Sequence, residues 1–250
     1  MLTVGSLFSG IGGLELGFER AGMRVVWQCE IDDYARRVLQ RHWPDVPKYD
    51  DIRACGAHNL APVDLICGGF PCQPHSLAGR RNGSGDERDL WPEYRRILCE
   101  LKPRWVVAEN VPGLLSTDAG RFFGGILADL ATLGYDAAWS VLSACALGAP
   151  HPRERVFVVA HAQRVGWEWW GISEGGSRRD DAPDQRDRCV QSAFWHPSAD
   201  PLCRVADGLP RRLDKGKRLK ALGNAVVPQV AELIGQMILA QEEARCAVDG

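Results

Sequence analysis

No stretch of the 250-residue chain reaches the run of about 18 apolar residues that a membrane-crossing helix needs. The N-terminus enters an apolar strand pattern directly and lacks a charged-then-apolar leader. No two of the nine cysteines are spaced Cys-x-x-Cys, and nine is odd, which argues against a disulfide framework and against a zinc site. That cysteine usage fits a reducing cytoplasm. Gly-Lys-Ser/Thr is absent, so a nucleotide-triphosphate loop is excluded. There is no global basic excess: the net charge of −2 gives no electrostatic signature for nucleic acid. Internal repeats and long low-complexity tracts are also missing. What is present, 45% apolar residues, suffices to fill the core of one large domain with a small second one.

The positive charge is unevenly placed. Residues 1–150 carry 15 Lys+Arg against 18 Asp+Glu, residues 151–220 carry 14 against 10, and residues 221–250 carry 1 against 4. A second local cluster is Arg80, Arg81, Arg88, Arg95 and Arg96. Patches of this kind suit a phosphate backbone, and they equally suit a solvated surface.

Hydrophobic periodicity alternates between two classes of segment. Strand-like runs are Leu2–Leu7, Arg24–Cys29, Val63–Cys67, Trp105–Ala108, Trp139–Ala144 and Val156–Ala160. Helical patterns are Gly13–Ala21, Asp33–His42, Trp91–Leu101, Gly124–Leu133 and Pro228–Glu243. Such alternation predicts an α/β fold, a mostly parallel sheet with helices on both faces. Residues 161–217 break the pattern with a polar, loop-rich composition and are expected to form a small insert.

Candidate chemistry sits at the expected strand ends, where open α/β sheets bind ligands. Gly68-Gly69-Phe70-Pro71-Cys72-Gln73-Pro74 places a thiol just past a buried strand. Alone, this fits a nucleophile and a structural thiol equally. Gly10, Gly12 and Gly13 allow a ligand to approach backbone closely at a strand-to-helix turn. Glu30, at the second strand end, can accept both hydroxyls of a ribose, and Asp51 can accept from an adenine amino group. The dinucleotide fingerprint wants glycine three positions after Gly12, where Glu15 stands, so a nicotinamide nucleotide is disfavoured.

Taken in order, Phe8-Ser9-Gly10-Ile11-Gly12-Gly13, Glu30-Ile31-Asp32, Asp51-Ile52, Pro71-Cys72-Gln73, Glu109-Asn110-Val111, His151-Pro152-Arg153-Glu154-Arg155 and Gly223-Asn224-Ala225-Val226 resemble the cytosine-5 DNA methyltransferase family. Compact bacterial and bacteriophage members look most similar. The resemblance implies a Rossmann-like, S-adenosylmethionine-dependent fold. Phe8, Gly10, Gly12, Gly13, Glu30, Ile31, Asp51, Ile52, Pro71, Asn224, Ala225 and Val226 would surround that cofactor. It also implies that Cys72 adds to ring position 6 of cytosine, with Glu109 carrying the proton to ring nitrogen 3; burial would raise the pKa of Glu109 for that task. Arg155 would reach the base carbonyl and Arg153 would hold the active-site loop. The two arginines, at a strand start, are expected to point in different directions.

A base stacked in a duplex must swing out to meet the thiol. Residues 75–90, with three glycines and three arginines, have the composition of a mobile lid, so Ser76, Arg80, Arg81 and Arg88 are the expected DNA contacts. The implied layout is a catalytic domain of residues 1–160 and 218–250, with residues 161–217 as a short target-recognition region. The chain departs from the family where His151 replaces glutamine and His75 replaces phenylalanine. The recognition region also lacks the usual threonine-leucine core, and Gly208-Leu209-Pro210 looks like a remnant of the motif that ends it. The expectation is a monomeric enzyme on double-stranded DNA, without metal or membrane, cytoplasmic and of the restriction-modification type. An RNA cytosine-5 methyltransferase and a non-catalytic nucleic-acid binder are the alternatives.

Overall fold

The computed structural model describes residues 1–71, 89–151, 153–162 and 221–248. Strands β1 (Thr3–Leu7), β2 (Arg24–Cys29), β3 (Lys48–Tyr49), β4 (Leu65–Gly69), β5 (Trp105–Asn110), β6 (Asp136–Ser143) and β7 (Glu154–His161) form one seven-stranded sheet in the order β3-β2-β1-β4-β5-β7-β6. Pairs from β3 through β5 are parallel, and β7 runs antiparallel to both β5 and β6. Parallel neighbours need a crossover. Helices α1 (Gly13–Arg20), α2 (Asp33–His42) and α3 (Trp91–Leu101) lie in such crossovers, α4 (Arg121–Thr132) lies between β5 and β6, and α5 (Pro228–Val248) lies in the last described segment. The α/β, mostly parallel expectation is therefore met. The described strands shift the predicted limits by up to three residues, and β3, only two residues long, is too short to leave a periodic signal.

Side-chain alternation divides the core between the two faces. Leu65 and Cys67 of β4, with Trp105 and Val107 of β5, face α1 and α5. Ile66, Val106 and Ala108 face α3 and α4. The α1–α5 contact is nearly backbone to backbone. A Cβ on Gly17 would lie 2.4 Å from that of Ala231, and one on Gly235 would lie 2.7 Å from that of Ala21. Only glycine permits this approach. By length and composition, Ala221–Arg245 would pass as membrane-crossing. In the fold, Val230, Ala231, Ile234 and Ile238 are buried in the α1-side core. At the far end of α5, Glu242 pairs with Arg104 and accepts from the Trp105 indole at 2.9 Å.

Because β2 and β3 lie to one side of β1 and β4 to the other, the strand order reverses between β1 and β4. That reversal opens a crevice at the carboxyl ends of the strands. Among the described cysteines, Cys29, Cys55, Cys67 and Cys99 are free thiols, whereas Cys145 is disulfide-bonded to a partner outside the described side chains. The chain thus holds a bridge that its cysteine spacing does not suggest.

Candidate active site

One half of the crevice is built on backbone. After β1 the chain turns through Phe8, Gly10 and Gly12 at φ 53°, 55° and 91°. For Phe8 this left-handed conformation is strained, and its ring stacks on Tyr94 at 6.3 Å. Glu30 closes the turn: its carboxylate accepts from the Gly10 N–H at 2.7 Å and the Asp32 N–H at 2.8 Å. Each oxygen keeps a further lone pair for an incoming hydroxyl. Arg36 donates to the carbonyls of Glu30 and Ile31 at 2.7 and 2.8 Å, fixing that peptide, and Ile31 remains 66% exposed beside it. A Cβ on Gly10 would meet nothing within 4 Å, so the turn borders open space.

Asp51 caps the 3-10 turn Ile52–Ala54 by accepting from the Arg53 N–H at 2.9 Å. The Ile52 side chain is buried in the core, so of this residue only backbone can line a site. The segment before α5 reaches the glycine turn from the other side. A Cβ on Gly13 would lie 2.3 Å from the Val226 carbonyl oxygen. Ala225 donates back to the Leu222 carbonyl at 3.3 Å, and Asn224, inside that turn, is exposed.

The other half lies where β4 and β5 end. Gly69 is the register partner of Glu109, and a Cβ on Gly69 would come 2.6 Å from Glu109 Oε2. The carboxylate therefore lies over the backbone that leads into Phe70 and the exposed Pro71. Asn110 fixes that backbone, its amide donating to the Phe70 carbonyl at 2.9 Å. Glu109 is only 7% exposed, and burial raises its pKa to about 7 against the opposing pull of Arg155 and Arg153. Arg155 Nε stands 2.9 Å from Glu109 Oε1, though its N–H is not aimed at that oxygen, which has no hydrogen bond. The contact pairs charges without a linear hydrogen bond.

Arg153 and Arg155 reach different partners: Arg155 pairs with Glu109, and Arg153, the residue before β7, donates to the Gly223 carbonyl, while the charge of both bears on Glu109. Cys72, Ser76, Arg80, Arg81 and Arg88 lie outside the described residues, as do Pro152 and residues 163–220. The described site residues thus form two groups, Phe8, Gly10, Gly12, Gly13, Glu30, Ile31, Asp51 and Val226 in one, and Pro71, Glu109, Arg153 and Arg155 in the other. Asn110, Gly69 and Arg36 are structural partners that the motifs alone do not assign. Glu15, noted only as a mismatch to a fingerprint, is fully buried; burial raises its pKa, and Gln28 donates to it at 3.4 Å.

A family model described as C-5 cytosine-specific DNA methylase matches residues 2–192. The type II methyltransferase M.NgoBI of Neisseria gonorrhoeae is 38% identical over 160 residues, covering 64% of this chain and 50% of the relative. M2.BsuMI of Bacillus subtilis is 36% identical over 294 aligned positions, covering 94% of this chain and 75% of the relative. The chain spans about half the length of most of the curated relatives it matches, M.NgoBI being one. Among solved structures, a prophage-encoded DNA modification methyltransferase of E. coli superposes with a TM-score of 0.56 at 32% identity, over 64% of this chain and 47% of the other. The S. pombe Dnmt2 methyltransferase shares the fold, with a TM-score of 0.56 at 23% identity, over 75% of this chain and 60% of the other.

Proposed function

The chain belongs to the C-5 cytosine-specific DNA methylase family, and we propose that it transfers a methyl group from S-adenosylmethionine to carbon 5 of a cytosine flipped out of double-stranded DNA. The observation that carries this reading is Glu109. It is a buried carboxyl with pKa about 7, laid over Gly69 at the end of the strand that leads to Cys72 three residues on.

The chemistry follows from those positions. An aromatic carbon such as position 5 is a weak nucleophile until something adds at position 6. The Cys72 thiolate forms the sulfur–carbon bond there, and the ring electrons move toward nitrogen 3, where Glu109 delivers its proton. A carboxyl with pKa near 7 holds that proton at working pH and can release it. Arg155, beside Glu109, is placed for the base carbonyl and for the carboxylate left after proton transfer. Loss of the position-5 proton to solvent later supplies the electron pair that restores the ring double bond and expels the Cys72 sulfur, and nitrogen 3 returns its proton to Glu109. When bound, S-adenosylmethionine supplies the methyl group. The residues fit it: the Glu30 carboxylate suits the ribose hydroxyls, exposed Ile31 offers an apolar plate for the adenine, Asp51 suits its amino group, and the Gly10 turn borders open space for the rest.

The layout that suits this reading is a catalytic domain of residues 1–160 and 218–250 around a recognition region of residues 161–217. The packing of α5 on α1 supports joining the two catalytic parts. The bacterial type II relatives support a cytoplasmic setting and a restriction-modification role, and monomeric action is proposed with them. The test is bisulfite sequencing of DNA from cells expressing the chain or its Cys72→Ser variant, with total RNA sequenced in parallel. Protected cytosines in one DNA sequence context, lost in the variant, are expected. Modification confined to RNA, or none at all, would overturn the reading.

A further inference from the structure

We propose that Arg153 is a positioning residue for the cofactor half of the site, tying the Gly223–Val226 segment, and through it the glycine turn, to the strand that carries Arg155. This rests on the methyltransferase reading and assigns Arg153 a different partner from the active-site loop that the family resemblance implies. Arg153 Nη2 donates to the Gly223 carbonyl at 2.5 Å, across 70 residues of sequence. The Gly223 peptide enters the turn closed by Ala225 N–H on the Leu222 carbonyl, and the Val226 carbonyl then lies against Gly13. Holding Gly223 therefore holds the contact against the glycine turn.

The other end of the tie is equally fixed. The Arg153 N–H donates to the His151 carbonyl at 3.0 Å, and the Arg153 carbonyl accepts from the Ala144 N–H at 3.0 Å. Two residues on, Arg155 pairs with Glu109. Arg153 thus links the segment entering β7, whose Arg155 pairs with Glu109, to the cofactor segment. Guanidinium suits the task, since it stays charged while partly buried and bonds a carbonyl strongly. Among the described residues its buried Nε has no hydrogen-bond partner, and the Gly223 bond orients the head. Methyl donor and acceptor must meet in near-attack geometry, where a misplacement of about 1 Å costs about a hundredfold in rate. A tie between the two halves serves that requirement.

The test is calorimetric binding of S-adenosylhomocysteine to the full chain without DNA, for the wild type, Arg153→Met and Arg153→Lys. Loss of a charge-assisted bond predicts about tenfold weaker binding for the methionine variant. Lysine keeps a charged donor and should recover binding to within about threefold of wild type. Hydrogen exchange at amides 222–227 should quicken in the methionine variant. Binding within twofold of wild type, with unchanged exchange, would overturn the proposal and return Arg153 to the active-site loop. If the methionine variant does not fold, Arg153→Gln, uncharged and shorter, decides: wild-type exchange at 222–227 overturns the tie and faster exchange supports it. A wild-type chain that binds no S-adenosylhomocysteine would sink the methyltransferase reading itself, an outcome distinct from the failure of the tie.

Discussion

Glu109 should make the protein lose stability as pH rises through the window from its ordinary value of 4.5 to about 7. The sign follows from linkage: the native state holds this proton more tightly than the unfolded chain does, so folding is favoured at low pH and disfavoured once the native carboxyl must ionise. At 1.36 kcal/mol per pH unit, the gap between 4.5 and about 7 comes to about 3 kcal/mol. The group is 7% exposed, so solvent screening takes little from this figure. Glu109→Gln replaces the neutral acid with a neutral isostere, so the substitution itself is insensitive to this titration. The stability of Glu109→Gln relative to wild type should therefore rise by about 3 kcal/mol between pH 4.5 and pH 8. Urea unfolding followed by tryptophan fluorescence at several pH values measures it, and comparing variant with wild type at each pH cancels every other titrating group. A difference that stays flat across the window would show that Glu109 ionises normally, and the proton-donor assignment would lose its physical basis. The same titration predicts that the rate of adduct formation falls above pH about 7.

DNA carrying 5-fluorocytosine at the target should trap the chain in a denaturation-resistant complex when S-adenosylmethionine is present, since fluorine cannot leave as a proton does. Cys72→Ser should abolish the band, whereas a complex mapped to another cysteine would refute the nucleophile. Gly13→Ala should weaken cofactor binding by about 1–3 kcal/mol, because its methyl would meet the Val226 carbonyl at 2.3 Å; calorimetry giving wild-type affinity would contradict the packing. Gly17→Ala should destabilise the fold by about 2 kcal/mol in urea by forcing α5 away from α1. Asn110→Ala removes the donor to the Phe70 carbonyl and should cost about 1–2 kcal/mol while slowing adduct formation; an unchanged adduct rate would show that this bond does not position the Cys72 segment.

The fold was legible wherever burial covers both faces of a strand. Trp105-Val106-Val107-Ala108 and Leu65-Ile66-Cys67 show as apolar runs because α1 and α5 cover one side and α3 and α4 the other. The proximity of α1 and α5 was written in Gly17, Ala21, Ala231 and Gly235, but small residues so spaced on two helices carry no statement of which helix meets which. The Cys145 bridge was hidden because spacing identifies only local frameworks.

In the site, residue identity was readable and mutual orientation was not. Glu30 could be assigned to a ribose from its place at a strand end, yet the two backbone N–H groups that hold its carboxylate come from Gly10 and Asp32, and only the folded turn brings them together. Gly69 reads as part of a flexible doublet; its necessity comes from a register, Gly69 beside Glu109, that parallel pairing fixes and local sequence does not. The arginines show the same limit from the other side. No periodicity could have brought Gly223 to Arg153, because that contact depends on α5 returning to pack on α1. The chemistry assigned to Glu109 is thus set by neighbours from two separate stretches of chain, Gly69 beneath the carboxyl and Arg155 beside it, while Arg153, two residues from Arg155, is held by a third.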